Sequence, residues 1–315
     1  MIKLISYLLQ YRISEMTDLV RNSKKSPLPC YESLSGKTAV ITGSTSGIGH
    51  ETALLFASKG AELICINRSA QKSRLLEEEI TSKYNTRITT IVCDFSSLAD
   101  VKKAAEILID NGREIDYLIF NAGVYYENRE YSKDNIEIVF QVNHLGSFLL
   151  TYLLMETLIQ RKKGKILYVN SEGHRFALAG VHLNDLDWKR HFYSGLKSYG
   201  AAKTAQLLTM IQFADRLKDY GVTVNAMHPG NVKTNIGNNN SEAYRSWKET
   251  HVLKKALHPS VSAEALYYLC SSPQMEGITG QYFNLTSRER PAVHARDVKE
   301  AEKVWQKSLE LCGLT

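Results

Sequence analysis

Thr42-Gly43-Ser44-Thr45-Ser46-Gly47-Ile48-Gly49 is the stretch on which the fold of this chain turns. It follows the short apolar run Thr38–Ile41 and leads directly into a helical pattern from His50 to Lys59. Three glycines at a strand-to-helix turn let a backbone approach a pyrophosphate, and they leave the N–H groups of the helix N-terminus free to bind it. A glycine-rich turn by itself is often a surface loop; lying between a buried strand and a helix makes this one specific. The G-x-x-x-G-x-G spacing differs from the dinucleotide fingerprint G-x-G-x-x-G. Candidate contacts are Gly43, Ser44, Ser46, Gly47, Ile48 and Gly49.

Outward from that turn, short β-branched runs alternate with amphipathic stretches, which is the pattern of a parallel sheet covered on both faces. Candidate strands are Thr38–Ile41, Glu62–Ile66, Ile88–Val92, Tyr117–Phe120, Lys165–Val169, Thr223–Met227 and Gln281–Phe283. The expected class is therefore α/β, a single doubly wound Rossmann domain with a seven-stranded, mostly parallel sheet over residues 34–285. Residues 1–33 read as a helical extension and linker, with Pro27 and Pro29 inside Asn22–Glu32. Residues 286–315 read as a helical tail, in which Arg296–Leu311 is a capped amphipathic helix with Asp297 at its start and Gly313 after its end. There is no internal repeat, and no low-complexity tract beyond Asn238-Asn239-Asn240.

Composition narrows the function classes. At 315 residues and 43% hydrophobic content the chain can bury a sizeable core. A net charge of +6, scattered among Lys and Arg, does not imply nucleic acid and suits an anionic cofactor. Five widely spaced cysteines without a C-x-x-C pair indicate neither a disulfide framework nor a metal site, and point to a reducing, cytoplasmic setting. Ile2–Leu9 is far shorter than the ~20 residues a membrane span needs. It suits an amphipathic helix packed on the body of the protein or on a partner, with a membrane surface as the alternative and peripheral association as its consequence.

Dinucleotide folds choose between NAD and NADP at the end of the second strand. An acid there binds the ribose 2′-hydroxyl, whereas a guanidinium holds a 2′-phosphate. Here Asn67 stands in place of the acid and Arg68 follows it, so NADP(H) is expected ahead of NAD(H). The alternative for Arg68 is a solvated residue at a helix start.

Tyr199-Gly200-Ala201-Ala202-Lys203 places a phenol and an ammonium on one helix face. A phenol of pKa ~10 is a poor acid or base at neutral pH, and a nearby cation favours its ionised form. The spacing alone is weak, because Tyr and Lys fall four apart by chance in many helices. Upstream, Gly164–Ser171 is a buried strand ending in a hydroxyl where carboxyl ends of strands meet a ligand crevice. Asn143 sits in an otherwise apolar helix, where a satisfied core polar group is the common outcome. His228–Thr234 forms a further crevice loop.

Seven matches in order make the chain resemble the short-chain dehydrogenase/reductase family across about residues 35 to 285. They are T-G-x-x-x-G-I-G at Thr42–Gly49, Asp94 after the third strand, N-A-G at Asn121–Gly123, Asn143, Ser171, Y-x-x-x-K at Tyr199–Lys203, and P-G-x-V-x-T at Pro229–Thr234. The resemblance implies that Tyr199 is the proton donor or acceptor, and that Lys203 holds the nicotinamide ribose and lowers the tyrosine pKa. It implies that Ser171 orients the substrate carbonyl and that Asn143 anchors a proton-relay water. It further assigns Asp94, with Phe95, to the adenine, Asn121, Ala122 and Gly123 to the adenosine ribose region, and Pro229, Gly230, Val232 and Thr234 to the nicotinamide side.

The family's usual N-N-A-G is here Phe120-Asn121-Ala122-Gly123, and its usual S-S pair is Asn170-Ser171. Ser171 and Tyr199 stand 28 positions apart, an interval lengthened around Leu183–Trp188. That insert resembles the retinol-dehydrogenase-like branch, which includes the WW-domain oxidoreductase and the light-dependent protochlorophyllide reductases. The implied activity is NADP(H)-dependent hydride transfer between nicotinamide and a small or lipophilic carbonyl or alcohol. Alternatives are reduction of a carbon–carbon double bond and a catalytically silent NADP-binding scaffold. Tyr125, Tyr126, His174, Phe176 and Tyr193 are candidate pocket aromatics, with His174 read as lining or surface, and Asn235–His258 as a polar lid. The resemblance also implies a homodimer or homotetramer, unless the N-terminal extension and tail replace those contacts.

Overall fold

The computed structural model describes residues 25–315 together with residues 6, 7, 10, 21 and 22. The helix expected over Ile2–Leu9 falls, apart from Ser6 and Tyr7, outside the described residues. The short β-branched runs become strands, joined by a further one at the end: β1 (Thr38–Thr42), β2 (Glu62–Asn67), β3 (Ile88–Val92), β4 (Tyr117–Phe120), β5 (Gly164–Val169), β6 (Val222–His228), β7 (Tyr282–Asn284) and β8 (Ser287–Glu289). They form one sheet in the order β3-β2-β1-β4-β5-β6-β7-β8. All neighbours are parallel except β7 and β8. The order reverses between β1 and β4, and a doubly wound sheet opens its ligand crevice at that switch point.

Seven strands were expected and eight are present among the described residues. The added β8 folds back antiparallel on β7 through a two-residue connection, Leu285-Thr286. Leu285 adopts φ 52° in that turn. Hairpins of this length are usually announced by Asn-Gly or Asp-Gly, and this one carries neither, so nothing in the local sequence signals it.

Helices cover both faces. One core packs α1 (Gly47–Ser58), α2 (Ala70–Lys83) and α7 (Ser260–Ser271) against residues such as Ala39 and Ile41 of β1. The other packs α3 (Leu98–Asp110), α4 (Ile138–Arg161), α5 (Gly195–Leu217) and α8 (Val298–Cys312) against Val40 and its neighbours. Adjacent β1 residues thus serve opposite cores, as strand pleating requires. The remaining α6 (Glu242–His251) lies in the expected lid. Helix α4 is long and apolar enough to cross a membrane, but 78% of its most apolar window is buried in the second core.

The C-terminal helix is capped as its sequence suggests: the Asp297 carboxylate accepts from the N–H groups of Lys299 (2.9 Å) and Glu300 (3.2 Å), and Gly313 closes it at φ 64°. It is continuous with the body of the protein. Trp305 is 4% exposed, with ring centroids 4.7 Å from Phe213 of α5 and 5.1 Å from Phe148 of α4. The Arg216 guanidinium lies 4.0 Å from its ring. Tyr7 is also buried and donates to Asp297 (2.9 Å). Truncating Trp305→Ala is expected to lower unfolding stability by about 3–5 kcal/mol, the usual cost of emptying a large aromatic site. Urea titration checks this; a change below about 1 kcal/mol would show that α8 is peripheral to the core.

Candidate active site

One cleft of about 740 Å³ runs along the carboxyl ends of β1, β2, β4, β5 and β6. Its floor begins at the β1–α1 turn. Gly43 has φ +68°, and a methyl added there would lie 3.0 Å from Ala122 Cα. One added at Gly49 would lie 2.3 Å from the Gly43 carbonyl oxygen. No larger residue fits either place, so the turn brings bare backbone to the cleft. Asn121 holds it from the next strand: its Nδ2 donates to the carbonyls of Thr42 (3.1 Å) and Gly43 (2.9 Å), while Thr42 Oγ1 accepts from the N–H groups of Asn121 and Ala122 (3.0 Å each). The Asn121 side chain therefore braces the turn, leaving ligand contact to its backbone and to Ala122 and Gly123. Ser46, at the N-cap of α1, makes no side-chain cap, so the first amides of the helix stay available to an anion.

At the β2 end, Asn67 is buried and its Oδ1 accepts from Ser44 N (2.7 Å) and Ser44 Oγ (3.0 Å). Those bonds fix the amide's orientation, and its Nδ2 is a buried donor without a partner among the described residues. Arg68 is exposed at the cleft rim, and Lys72, one helical turn on, lines the same rim. Lys72 did not stand out in the sequence because surface lysines on α2 are common. Asp94 also lines the cleft; burial raises its pKa, but bonds from Ser96 N (3.0 Å) and Ser96 Oγ (2.8 Å) and the nearby Lys133 ammonium outweigh that and hold it ionised. Phe95 is buried against Gly146 of α4 with one edge on the cleft.

Ser171 follows β5, and Tyr199 and Lys203 lie on α5, packed against β6. Ser171, Tyr199 and Lys203 all line the cleft. Burial raises the Tyr199 pKa and a hydrogen bond with the Ser171 hydroxyl opposes it. Gly173 lies so close that an added methyl would meet the Tyr199 ring at 2.7 Å. The Lys203 ammonium is 5.8 Å from the Tyr199 ring centroid and donates to the Val169 carbonyl (2.8 Å). Burial pulls the Lys203 pKa down to about 7. Pro229, Gly230, Val232 and Thr234 line the opposite wall, with Thr234 Cβ 3.8 Å from the methyl position of Gly47.

Three expected residues lie behind the wall instead of on it: Ser44, Gly49 and Asn143. Asn143 is fully buried in a π-helical turn, Gln141–Leu145. Its Oδ1 accepts from Val124 N (2.7 Å), its Nδ2 donates to Val124 O (2.9 Å), and its carbonyl accepts from Gln206 Nε2 (2.9 Å). It is a satisfied core polar group, and the turn it braces leads into Gly123 and Val124 on the cleft.

Among the expected pocket aromatics, Tyr125 and Tyr126 line the cleft and His174, Phe176 and Tyr193 do not. His174 is fully buried: its Nε2 accepts from Ala292 N (3.0 Å), so Nδ1 carries the proton and donates to Ser171 O (2.8 Å). Phe176 is exposed, and Tyr193 donates to Glu137 (3.2 Å). The lid is pinned by groups that sequence did not single out. Lys248 is buried and donates to Thr234 O (2.9 Å), Asn238 Oδ1 (3.0 Å) and the Ile236 carbonyl. Asn240 accepts from Glu127 N (2.8 Å) and donates to Tyr125 O (3.1 Å).

The family model for short chain dehydrogenases matches residues 37–183 and 190–245. Human retinol dehydrogenase 13 is 31% identical over 294 residues, covering 91% of this chain and 87% of the relative. The human WW domain-containing oxidoreductase is 32% identical over 292 residues, covering 88% of this chain and 68% of the relative. Among solved structures, the 3-ketoacyl-(acyl-carrier-protein) reductase from Brucella melitensis complexed with NADH has a TM-score of 0.60 at 26% identity, covering 80% of this chain and 97% of that one. A short chain dehydrogenase from Shigella flexneri complexed with NADP has a TM-score of 0.64 at 21% identity, covering 80% and 98%, which is a likeness of fold. Family model, relatives and a cleft at the sheet's switch point agree: the chain belongs to the short-chain dehydrogenase/reductase family, in its retinol-dehydrogenase-like branch.

Proposed function

We propose that the protein transfers hydride between NADP(H) and a carbonyl or alcohol substrate, with Tyr199 as general acid and base. The observation that carries this reading is the convergence of Ser171, Tyr199 and Lys203 on one cleft, with the Lys203 ammonium 5.8 Å from the phenol ring. When bound, the nicotinamide supplies or accepts the hydride. Ser171 donates a hydrogen bond to the substrate oxygen and orients it toward the phenol. In reduction, Tyr199 gives its proton to that oxygen as the carbonyl carbon gains hydride; in oxidation, the phenolate takes the hydroxyl proton back. Ammonium at Lys203 lowers the free energy of the phenolate, and a low-dielectric wall strengthens that attraction.

The glycine turn and uncapped α1 start would hold the pyrophosphate, and Asp94 the adenine. Three features of the β2 end support NADP(H) over NAD(H). Arg68 and Lys72 supply two cations at the rim. Asn67 stands where an acid would and leaves no acceptor there, because its oxygen is taken by Ser44. A 2′-phosphate presents only acceptors to such a site, whereas a 2′-hydroxyl is best held by an acid. The substrate is read as small or lipophilic, bounded by Tyr125, Tyr126 and Tyr244.

Two experiments test this. With NADPH and a panel of aldehydes, ketones and enones followed by absorbance, Tyr199→Phe should lower kcat by about 10²- to 10⁴-fold while NADPH affinity stays within about twofold; unchanged turnover would remove the acid/base assignment. Arg68→Ala should weaken NADPH binding roughly tenfold or more and leave NADH nearly untouched, the size expected for a lost charge-assisted bond. Equal loss for both cofactors, measured by fluorescence titration, would overturn the NADP reading.

A further inference from the structure

Behind Lys203, away from the cleft, sits a side chain that the assigned chemistry does not use. Gln206 lies one turn further along α5 on the same face and is 2% exposed. Its Oε1 accepts from Asn170 Nδ2 (2.9 Å) and from the Lys203 ammonium (3.5 Å). Its Nε2 donates to the Asn143 carbonyl (2.9 Å) and to Ser147 Oγ (3.4 Å). Asn170 completes the arrangement: its Nδ2 also donates to Lys203 O (3.0 Å), and its Oδ1 accepts from Ser171 N (2.8 Å). Donors face acceptors at every position, so neither amide can flip without breaking several bonds.

We propose that Gln206 is a positioning residue for Lys203, supplying, with the Val169 carbonyl, the internal solvation that favours the ammonium form and aims it at Tyr199. Resting on the reading of Lys203 given above, the inference adds what sets that lysine's charge. An ammonium has three donors; Val169 O and Gln206 Oε1 take two, leaving one for the cleft. Gln206 itself touches neither Tyr199 nor the cleft and transfers no proton. Asn170 is the second half of the device. Where the family carries serine, this chain carries an amide long enough to fix the Gln206 oxygen and the backbone of Ser171 at once. The departure from the family motif at the β5 end, Asn170 for serine, and the buried amide on α5 are thus one network.

The test compares two substitutions of opposite charge character. Gln206→Leu removes the acceptor beside the ammonium and should lower the Lys203 pKa by roughly one unit; Gln206→Glu puts a carboxylate there and should raise it by roughly one unit or more. The Lys203 titration is read directly in ¹³Cε-lysine-labelled protein by NMR, its signal assigned by its loss in Lys203→Met. The same variants are followed by the pH dependence of kcat/KM for NADPH reduction of 9,10-phenanthrenequinone, whose limb set by Lys203 should move down and up respectively. A merely structural Gln206 would shift both variants alike or neither, and that result overturns the proposal. If Leu prevents folding, the isosteric Glu variant decides: an unmoved or lowered Lys203 titration refutes it. Absence of quinone turnover in the wild type counts against the proposed function, whereas the NMR titration still judges Gln206.

Discussion

A buried ammonium must find its solvation inside the protein, and around Lys203 that requirement organises the carboxyl end of the sheet. The Lys203 Nζ reaches the carbonyl of Val169, the last residue of β5, at 2.8 Å. This bond ties α5 to β5 across the interior. Ser171 lies two residues beyond Val169, and Tyr199 one helical turn before Lys203, so the same tie sets the separation of the two hydroxyls. Lys203 at a pKa of about 7 is balanced between charge states near neutrality. Small changes in what surrounds it therefore carry through to the phenol, whose own burial favours the protonated form.

The support of Ser171 reaches much further along the chain. His174 donates to the Ser171 carbonyl through Nδ1 and accepts from Ala292 through Nε2, while His294 bonds the His174 carbonyl at 2.9 Å. Burial lowers the His174 pKa to about 3, so the ring stays neutral and keeps this tautomer through the physiological range. Beside it, Glu172 accepts from Tyr282 (2.7 Å) and pairs with Arg175, which reaches Glu289 of β8 at 2.9 Å. The loop carrying Ser171 is thus bolted to the last strand and the approach to α8. The C-terminal residues complete the site's foundation as well as the core.

How much of this was legible in the sequence depended on whether a signal was local. The glycine turn, the seven strands and the Tyr199–Lys203 spacing are periodic or contiguous patterns, and each was readable where it stands. The strand β8 was not, because its turn lacks the residues that announce one. His174 was misread because two of its partners, Ala292 and His294, lie more than a hundred residues away and only the fold brings them together. Asn143 was expected to anchor a water, yet its side chain braces Val124 behind the cleft wall, and its carbonyl meets Gln206. Lys72 and Gln206 escaped notice because a lysine on an exposed helix and a glutamine on a buried one gain meaning only from what faces them.

The lid shows how composition can mislead about a substrate. Read as a string, Asn235–His258 is polar and suggests no apolar funnel. In three dimensions much of that polarity is turned inward. Lys248 takes up the carbonyls of Thr234 and Ile236 and the side chain of Asn238, Asn240 bridges to Tyr125 and Glu127, and Ser241 Oγ donates to Glu127 (2.8 Å). These groups stabilise a segment that has little core of its own to bury. Aromatic rings share the cleft with the asparagines Asn235, Asn238 and Asn239. Tyr244 stacks on Tyr125 with centroids 5.3 Å apart, and Tyr125 meets Tyr199 edge-on at 5.8 Å. The lid thus places Tyr244 behind the ring that meets the phenol, and much of its polar composition reports how the lid is held, not what it covers.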